Sequence, residues 1–123
     1  MSSIKTLHSS GLSSTLVQHV QLGGGPPPHS HTNEDETFVA LDGEFELLID
    51  GQWHPLVPGD PVYARRGSTH TFRNSGKTIG RIMVMVTPGG FEKYLQEIGS
   101  YSPATDMPKI IEISDRYGIR FYL

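Results

Sequence analysis

The sequence predicts an all-β fold, a small sandwich or barrel, followed by short C-terminal helices. Twelve of the fourteen glycines and seven of the nine prolines fall in residues 1–90 and cut them into apolar runs too short for helices. Within several of those runs apolar and polar residues alternate, which is the period of a strand with one buried face. Past Gly90 the period lengthens to that of a helix. A chain of 123 residues has room for one core, so a single domain is expected over 1–123, with the barrel at about 15–90 and a helical extension at about 91–123.

The elements follow in order. The run TLVQHVQL, residues 15–22, alternates and reads as a strand. GGGPPP interrupts it, because proline carries no backbone donor and cannot continue a sheet interior. A new strand begins near His29. In ETFVALDG the face of Glu36 also carries Phe38 and Ala40, and Gly43 ends the run. EFELLID places Phe45, Leu47 and Ile49 on one side, and Asp50-Gly51 is a strong two-residue hairpin signal into QWHPLV. VPGD turns the chain into PVYARR, and Gly67-Ser68 separates that strand from THTFRN. RIMVMV, residues 81–86, shows almost no polar alternation and reads as a strand buried on both faces. Phe91, Leu95 and Ile98 then recur at helical spacing up to Gly99. A second helix is marked by Asp106 as cap, Pro108 in the first turn, Ile110, Ile113 and Tyr117 on one stripe, and Gly118 as terminator.

A net charge of −3 provides no basic field, so neither nucleic acid nor an anionic membrane is an expected partner. The chain has no cysteine. Disulfides, thiolate metal sites and a cysteine nucleophile are excluded, and any metal must be held by nitrogen and oxygen. The stretch MSSIKTLHSSGLSS carries neither the apolar run of a secretory signal nor the arginine-rich pattern of a transit peptide, so the expected location is cytoplasmic.

The chemistry concentrates in PPPHSHTNEDE, residues 26–36. Alternation on a strand sends His29 and His31 to one side, which is chelating geometry. Glu36 lies an odd number of positions beyond His31, so an unbroken strand would turn it away, and a bulge within 32–35 is expected to restore it. Glu34 and Asp35 are alternative carboxylate donors, but only Glu36 opens the face that carries Phe38 and Ala40. His70 arrives from a distant strand. Three imidazoles and one carboxylate suit a single divalent transition metal, whether iron, manganese, nickel, zinc, cobalt or copper.

The spacing of these residues is specific. From Gly23 to Gly43 the chain reads GxxxxxHxHxxxxExxxxxxG, and from Gly59 to Asn74 it reads GxxxxxRxGxxHxxxN. These stretches closely resemble the two motifs of the cupin superfamily, small double-stranded β-helix or jelly-roll barrels, and GGFEKYLQEIG is similar to the helix that follows the barrel in quercetin dioxygenase-like cupins. Arg65 departs from the pattern, standing where the family usually has proline in a turn. The resemblance implies metal ligands at His29, His31, Glu36 and His70. It also implies a homodimer, since similar cupins pair through exposed sheet edges.

One fold with one metal set hosts many activities, so function has to be argued from the pocket. The first expectation is a metal-dependent dioxygenase-like enzyme acting on a small, partly apolar or aromatic compound, with Glu36 as ligand and proton acceptor. Phe38, Phe72, Met83 and Met85 are expected to line its substrate pocket. The alternatives are a non-catalytic module that binds or senses a small molecule through the metal, and a sugar isomerase or epimerase, which would need interior lysine or arginine that the strands lack. Arg65, Arg66 and Arg73 read mainly as solvated, His8, His19 and His54 as scattered, and Trp53 and Tyr63 as candidates for a subunit contact.

Overall fold

The computed structural model describes the backbone of residues 2–123 and the side chains of residues 7, 8 and 10–123. Its strands are β1 (Ser2–Ser9), β2 (Ser14–Val20), β3 (His29–His31), β4 (Asp35–Asp42), β5 (Phe45–Ile49), β6 (Gln52–Leu56), β7 (Val62–Ala64), β8 (His70–Asn74), β9 (Gly80–Thr87) and β10 (Ile119–Phe121). Two helices, α1 (Phe91–Ile98) and α2 (Met107–Arg116), lie between β9 and β10. The strands form two five-stranded antiparallel sheets in the orders β1-β2-β9-β4-β7 and β10-β3-β8-β5-β6. This is the expected jelly-roll, with its core between the sheets.

Alternation explains which residues meet there. Leu16, Phe38, Ala40, Ile82 and Val84 come from the first sheet, and Phe45, Leu47, Leu56 and Phe72 from the second, all buried. Each large apolar side chain so enclosed contributes about 1.5–3 kcal/mol relative to exposure. The Asp50-Gly51 hairpin forms as the dipeptide predicts, with φ of 48° and 89° and Ile49 paired with Gln52. Asn74, at the end of β8, donates from Nδ2 to the carbonyls of Val20 (3.0 Å) and Thr78 (2.8 Å) and so ties the two sheets at one corner.

Three expectations need correction. β9 is not buried on both faces: it alternates, with Ile82, Val84 and Val86 inward, Met83 half-buried and Met85 37% exposed. Met83 pairs with Val17 and Val39 on the outer side of the sheet, so neither methionine lines the interior. An unbroken apolar run hid this alternation. Secondly, no bulge brings Glu36 back to the histidines. The chain crosses at Thr32-Asn33 from the second sheet to the first, so His31 and Glu36 approach from opposite layers. Thirdly, the barrel extends beyond 15–90, because β1 precedes it and β10 returns to it after the helices. At Arg65 the turn closes without proline: Ser68 donates to the Arg65 carbonyl from its backbone N–H (3.1 Å) and its hydroxyl (2.7 Å). Among the described residues, no helix is long and apolar enough to cross a membrane.

Gly25 sets the course of the chain into β3. Its φ is +153°, and a Cβ there would lie 1.9 Å from the carbonyl oxygen of Phe72. Gly25→Ala is therefore expected to cost about 1–3 kcal/mol in backbone strain, with a further loss as β8 is pushed aside. Gly11→Ala, with nothing within 4 Å, should change stability little. Urea unfolding of both variants checks this, and equal midpoints would contradict it.

Candidate metal centre

β3 and β8 lie side by side in the second sheet, with His29 paired to His70, while β4 faces them from the first. His29 and His31 share a face of β3, and Glu36 begins the inward face of β4. The ring centroids of His29 lie 5.2 Å from His31 and 4.7 Å from His70. Nε2 of His31 stands 2.5 Å from Oε1 of Glu36, and Nε2 of His70 3.5 Å from Oε2. One donor atom from each of the four residues falls within 4.8 Å of the other three. His31, Glu36 and His70 are buried, and His29 is half-buried.

The outer nitrogen of each ring is already committed. Nδ1 of His29 donates to the Pro27 carbonyl (3.0 Å), and Nδ1 of His70 to the Ser68 carbonyl (3.1 Å). In both cases the acceptor is two residues upstream. A carbonyl can only accept, so the proton must sit on Nδ1, and Nε2 keeps its lone pair for the interior. Nδ1 of His31 donates to Oε1 of Glu34 (2.9 Å). Nε2 of His70 is buried and makes no hydrogen bond. A buried imidazole nitrogen left in this way is costly unless something else binds it.

Burial and charge act differently on the four groups. Burial lowers the pKa of His29 to about 4, with Glu36 opposing and the other two histidines adding to the fall. Burial also works against a charged His31, but hydrogen bonds and attraction from Glu34 and Glu36 prevail and raise it to about 9. Burial alone would raise Glu36, whereas its hydrogen bond with His31 and the nearby imidazoles of His70 and His29 bring it far below the usual carboxylate range. In the absence of an ion, His31 is thus an imidazolium bridging two carboxylates.

The set fits a transition metal. Typical metal–nitrogen and metal–oxygen bonds of about 2.0–2.2 Å place opposite donors about 4.2 Å apart, so the widest pair need close by only about half an ångström. An ion would take the Nε2 proton's place on His31 and occupy the orphaned nitrogen of His70. Three nitrogens and one oxygen leave positions for water or substrate.

Phe38 lies behind His70 (5.6 Å between centroids), with Phe72 next to it (6.1 Å). Both are inward, as expected. Five neighbours were not foreseen: Glu34 on the outer nitrogen of His31, the two backbone carbonyls, and the rings of Phe91, 5.8 Å from His31, and Phe121, 5.7 Å from His29. Glu34 sits three residues after His31, a spacing that could have suggested its role; nothing local marks the two phenylalanines. His8 and His54 are exposed, and His19 lies on the outer sheet face opposite Arg81. Arg66 and Arg73 pair with Asp35 (3.3 Å) and Glu46 (2.9 Å). Trp53 is covered by Arg73 at 3.9 Å, while Tyr63 is 59% exposed.

Comparison with known proteins follows the same lines. The family model for the cupin domain matches residues 16–86. The chain belongs to the cupin family. A quercetin 2,3-dioxygenase of Bacillus subtilis (strain 168) is 32% identical over 71 residues, 58% of this chain and 21% of that protein. This cupin spans between 21% and 41% of the length of the curated relatives it matches. Among solved structures, a Klebsiella pneumoniae protein with a double-stranded β-helix domain superposes with a TM-score of 0.63 at 26% identity, over 73% of this chain and 77% of that one. A sugar phosphate isomerase from a cupin superfamily, from Silicibacter pomeroyi, gives 0.58 at 23% identity over 66% and 57%.

The three shifts determine how the metal-free protein responds to pH. The depressed His29 costs stability as pH falls from 6.5 towards about 4, because the unfolded chain takes up a proton that the fold refuses. Glu36, also depressed, loses its contribution as pH falls below 4.5. The raised His31 stabilises fully below 6.5 and progressively less up to about 9. Chelator-treated protein should therefore melt highest near pH 6.5, and His31→Gln should flatten the alkaline limb. Melting curves across pH 4–9 test this; an alkaline limb unchanged in the variant would contradict it.

Proposed function

We propose that this cupin is a metal-dependent oxygenase of the dioxygenase type, acting on a small, partly aromatic compound that carries an oxygen donor such as an enol. The observation that carries the reading is the placement of a three-nitrogen, one-oxygen donor set beside two phenylalanine rings, Phe91 and Phe121, with no lysine or arginine among the described buried residues. The bound ion would supply Lewis acidity towards the substrate oxygen and, if redox-active, electron exchange with dioxygen. His29 is the one half-buried ligand and marks the side from which a substrate reaches the centre. Phe91 and Phe121 exclude water there and offer flat apolar surfaces to a ring. Glu36 is held so firmly ionised that it is a poor proton acceptor, so its part in this reading is to hold the ion rather than to act as base.

The relationship to a protein named quercetin 2,3-dioxygenase supports this choice. A sugar phosphate is the weaker candidate, although one structural neighbour bears that name. Phosphate recognition relies on arginine, lysine or clustered backbone donors, and Arg66 and Arg73 are exposed and paired with carboxylates.

Protein stripped of metal and reloaded separately with iron, manganese, nickel, cobalt, copper or zinc should bind one ion per chain and consume dioxygen with an aromatic enol for at least one redox-active metal. His29→Ala and His70→Ala should lose both properties. Glu34→Gln, which keeps all four ligands but weakens the hold on His31, should reduce metal affinity about 10–100-fold. Saturable binding of the enol, recovered unchanged with every ion, would establish a carrier and overturn the oxygenase reading.

A further inference from the structure

The ligand strand β3 is held on its β8 side by one ladder pair and two flanking bonds, from Gly67 N–H to the His31 carbonyl (2.8 Å) and from the Thr71 hydroxyl to the Pro26 carbonyl (2.6 Å). It is three residues long, and only His29 is in register with β8. The reason lies in the sequence: Pro26, Pro27 and Pro28 have no N–H to continue the ladder upstream. On the other side, β10 pairs with all of β3, Ile119 with His31, Arg120 with Ser30 and Phe121 with His29. Further bonds bracket this ladder. Thr32 N–H donates to the Gly118 carbonyl and Tyr122 N–H to the Pro28 carbonyl, both at 2.8 Å. The hydroxyls of Ser30 and Tyr122 meet at 3.1 Å.

Side chains follow the same pairing. Directly paired residues share a face of the sheet, so Ile119 stands beside His31 and Phe121 beside His29. Ile119 is 2% exposed and packs with Tyr94 and Ile113 of the helices. Gly118, with φ +74°, leads the chain from α2 into β10 in a space where a Cβ would come within 2.8 Å of Asn33 Nδ2.

We infer that the C-terminal strand is a positioning element of the metal centre: β10, which contributes no ligand, fixes the depth and direction of His29 and His31. Ile119 and Phe121 are then positioning residues, and metal affinity depends on the packing of α2 and β10 as much as on the β8 side. This inference rests on the metal-binding reading given above.

The test compares Ile119→Ala and Phe121→Ala with Leu56→Ala in the full chain, using cobalt(II) as the probe. Leu56 is 4% exposed on β6, the edge strand at the far side of the same sheet, so its truncation weakens the fold without touching β3. Melting of the metal-free proteins, competition titration against a chromogenic chelator and the visible spectrum of the bound cobalt are recorded for each. The expected result is a fall in cobalt affinity of about tenfold or more for both β10 variants, with an altered cobalt spectrum. Leu56→Ala should lower the melting temperature yet keep affinity within about twofold and the spectrum unchanged. Phe121 is only half-buried, so its variant remains informative if Ile119→Ala does not fold. Affinity and spectrum preserved in Phe121→Ala, or lost equally in Leu56→Ala, would overturn the inference while leaving the metal site intact. Failure of the unmutated protein to bind cobalt or any other ion would instead overturn the metal-binding reading itself.

Discussion

Glu36 places an ionised carboxylate between two sheets whose facing side chains are otherwise almost wholly apolar. An isolated charge in such surroundings would be prohibitively costly, and it would neutralise itself by taking a proton. It does not, because the protonated His31 donates to it and carries a compensating positive charge. That arrangement is itself costly, since ion pairs withdrawn from water repay their desolvation only when the geometry is close and the remaining hydrogen bonds are made. Much of the local structure serves that condition: two carbonyls and Glu34 fix the ring orientations, and Phe38 and Phe72 fill the space behind. One nitrogen, on His70, remains without a partner, which is difficult to reconcile with a purely structural cluster and natural for a set of ligands.

The sandwich makes such convergence straightforward. Two sheets about 10 Å apart send alternate side chains into the same layer, so a carboxylate on β4 and histidines on β3 and β8 meet without unusual backbone. The ligand spacing HxH is the pleat of one strand. The longer interval from His31 to Glu36 is the length of chain needed to pass from one sheet to the other. The prolines before His29 direct that strand but also deprive it of donors, and the structure makes good the deficit with a strand from the far end of the chain.

How much of this could be read in advance depended on whether the signal was local. The hairpin at Asp50-Gly51, the inward face of Glu36, Phe38 and Ala40, and the two helices all rest on residues a few positions apart, where turn chemistry and periodicity speak directly. The four site residues were legible because their spacing forms two known motifs, while composition alone left Glu34 and Asp35 as competing donors. Met83 and Met85 were misplaced because methionine satisfies a hydrophobic pattern on either face of a sheet, and only pairing with Val17 and Val39 shows which face it is. The strands β1 and β10 went unseen for a related reason. IRF is too short to declare a period, and it becomes a strand only because β3 is there to receive it.

The environments of the three histidines are unequal, and the inequality gives the proposed centre a direction. Glu34 supports His31 with a charged acceptor, which makes that imidazole the most electron-rich of the three, whereas His29 and His70 lean on neutral carbonyls. His31 and Glu36 also lie closest to each other, Nε2 to Oε1 at 2.5 Å. Glu36 and His31 would thus supply the stronger donors to a bound ion, with Phe91 against His31, and His29, beside Phe121, a weaker one. The same carboxylate support that raises His31 in the metal-free protein would make it the firmest nitrogen donor to a bound ion.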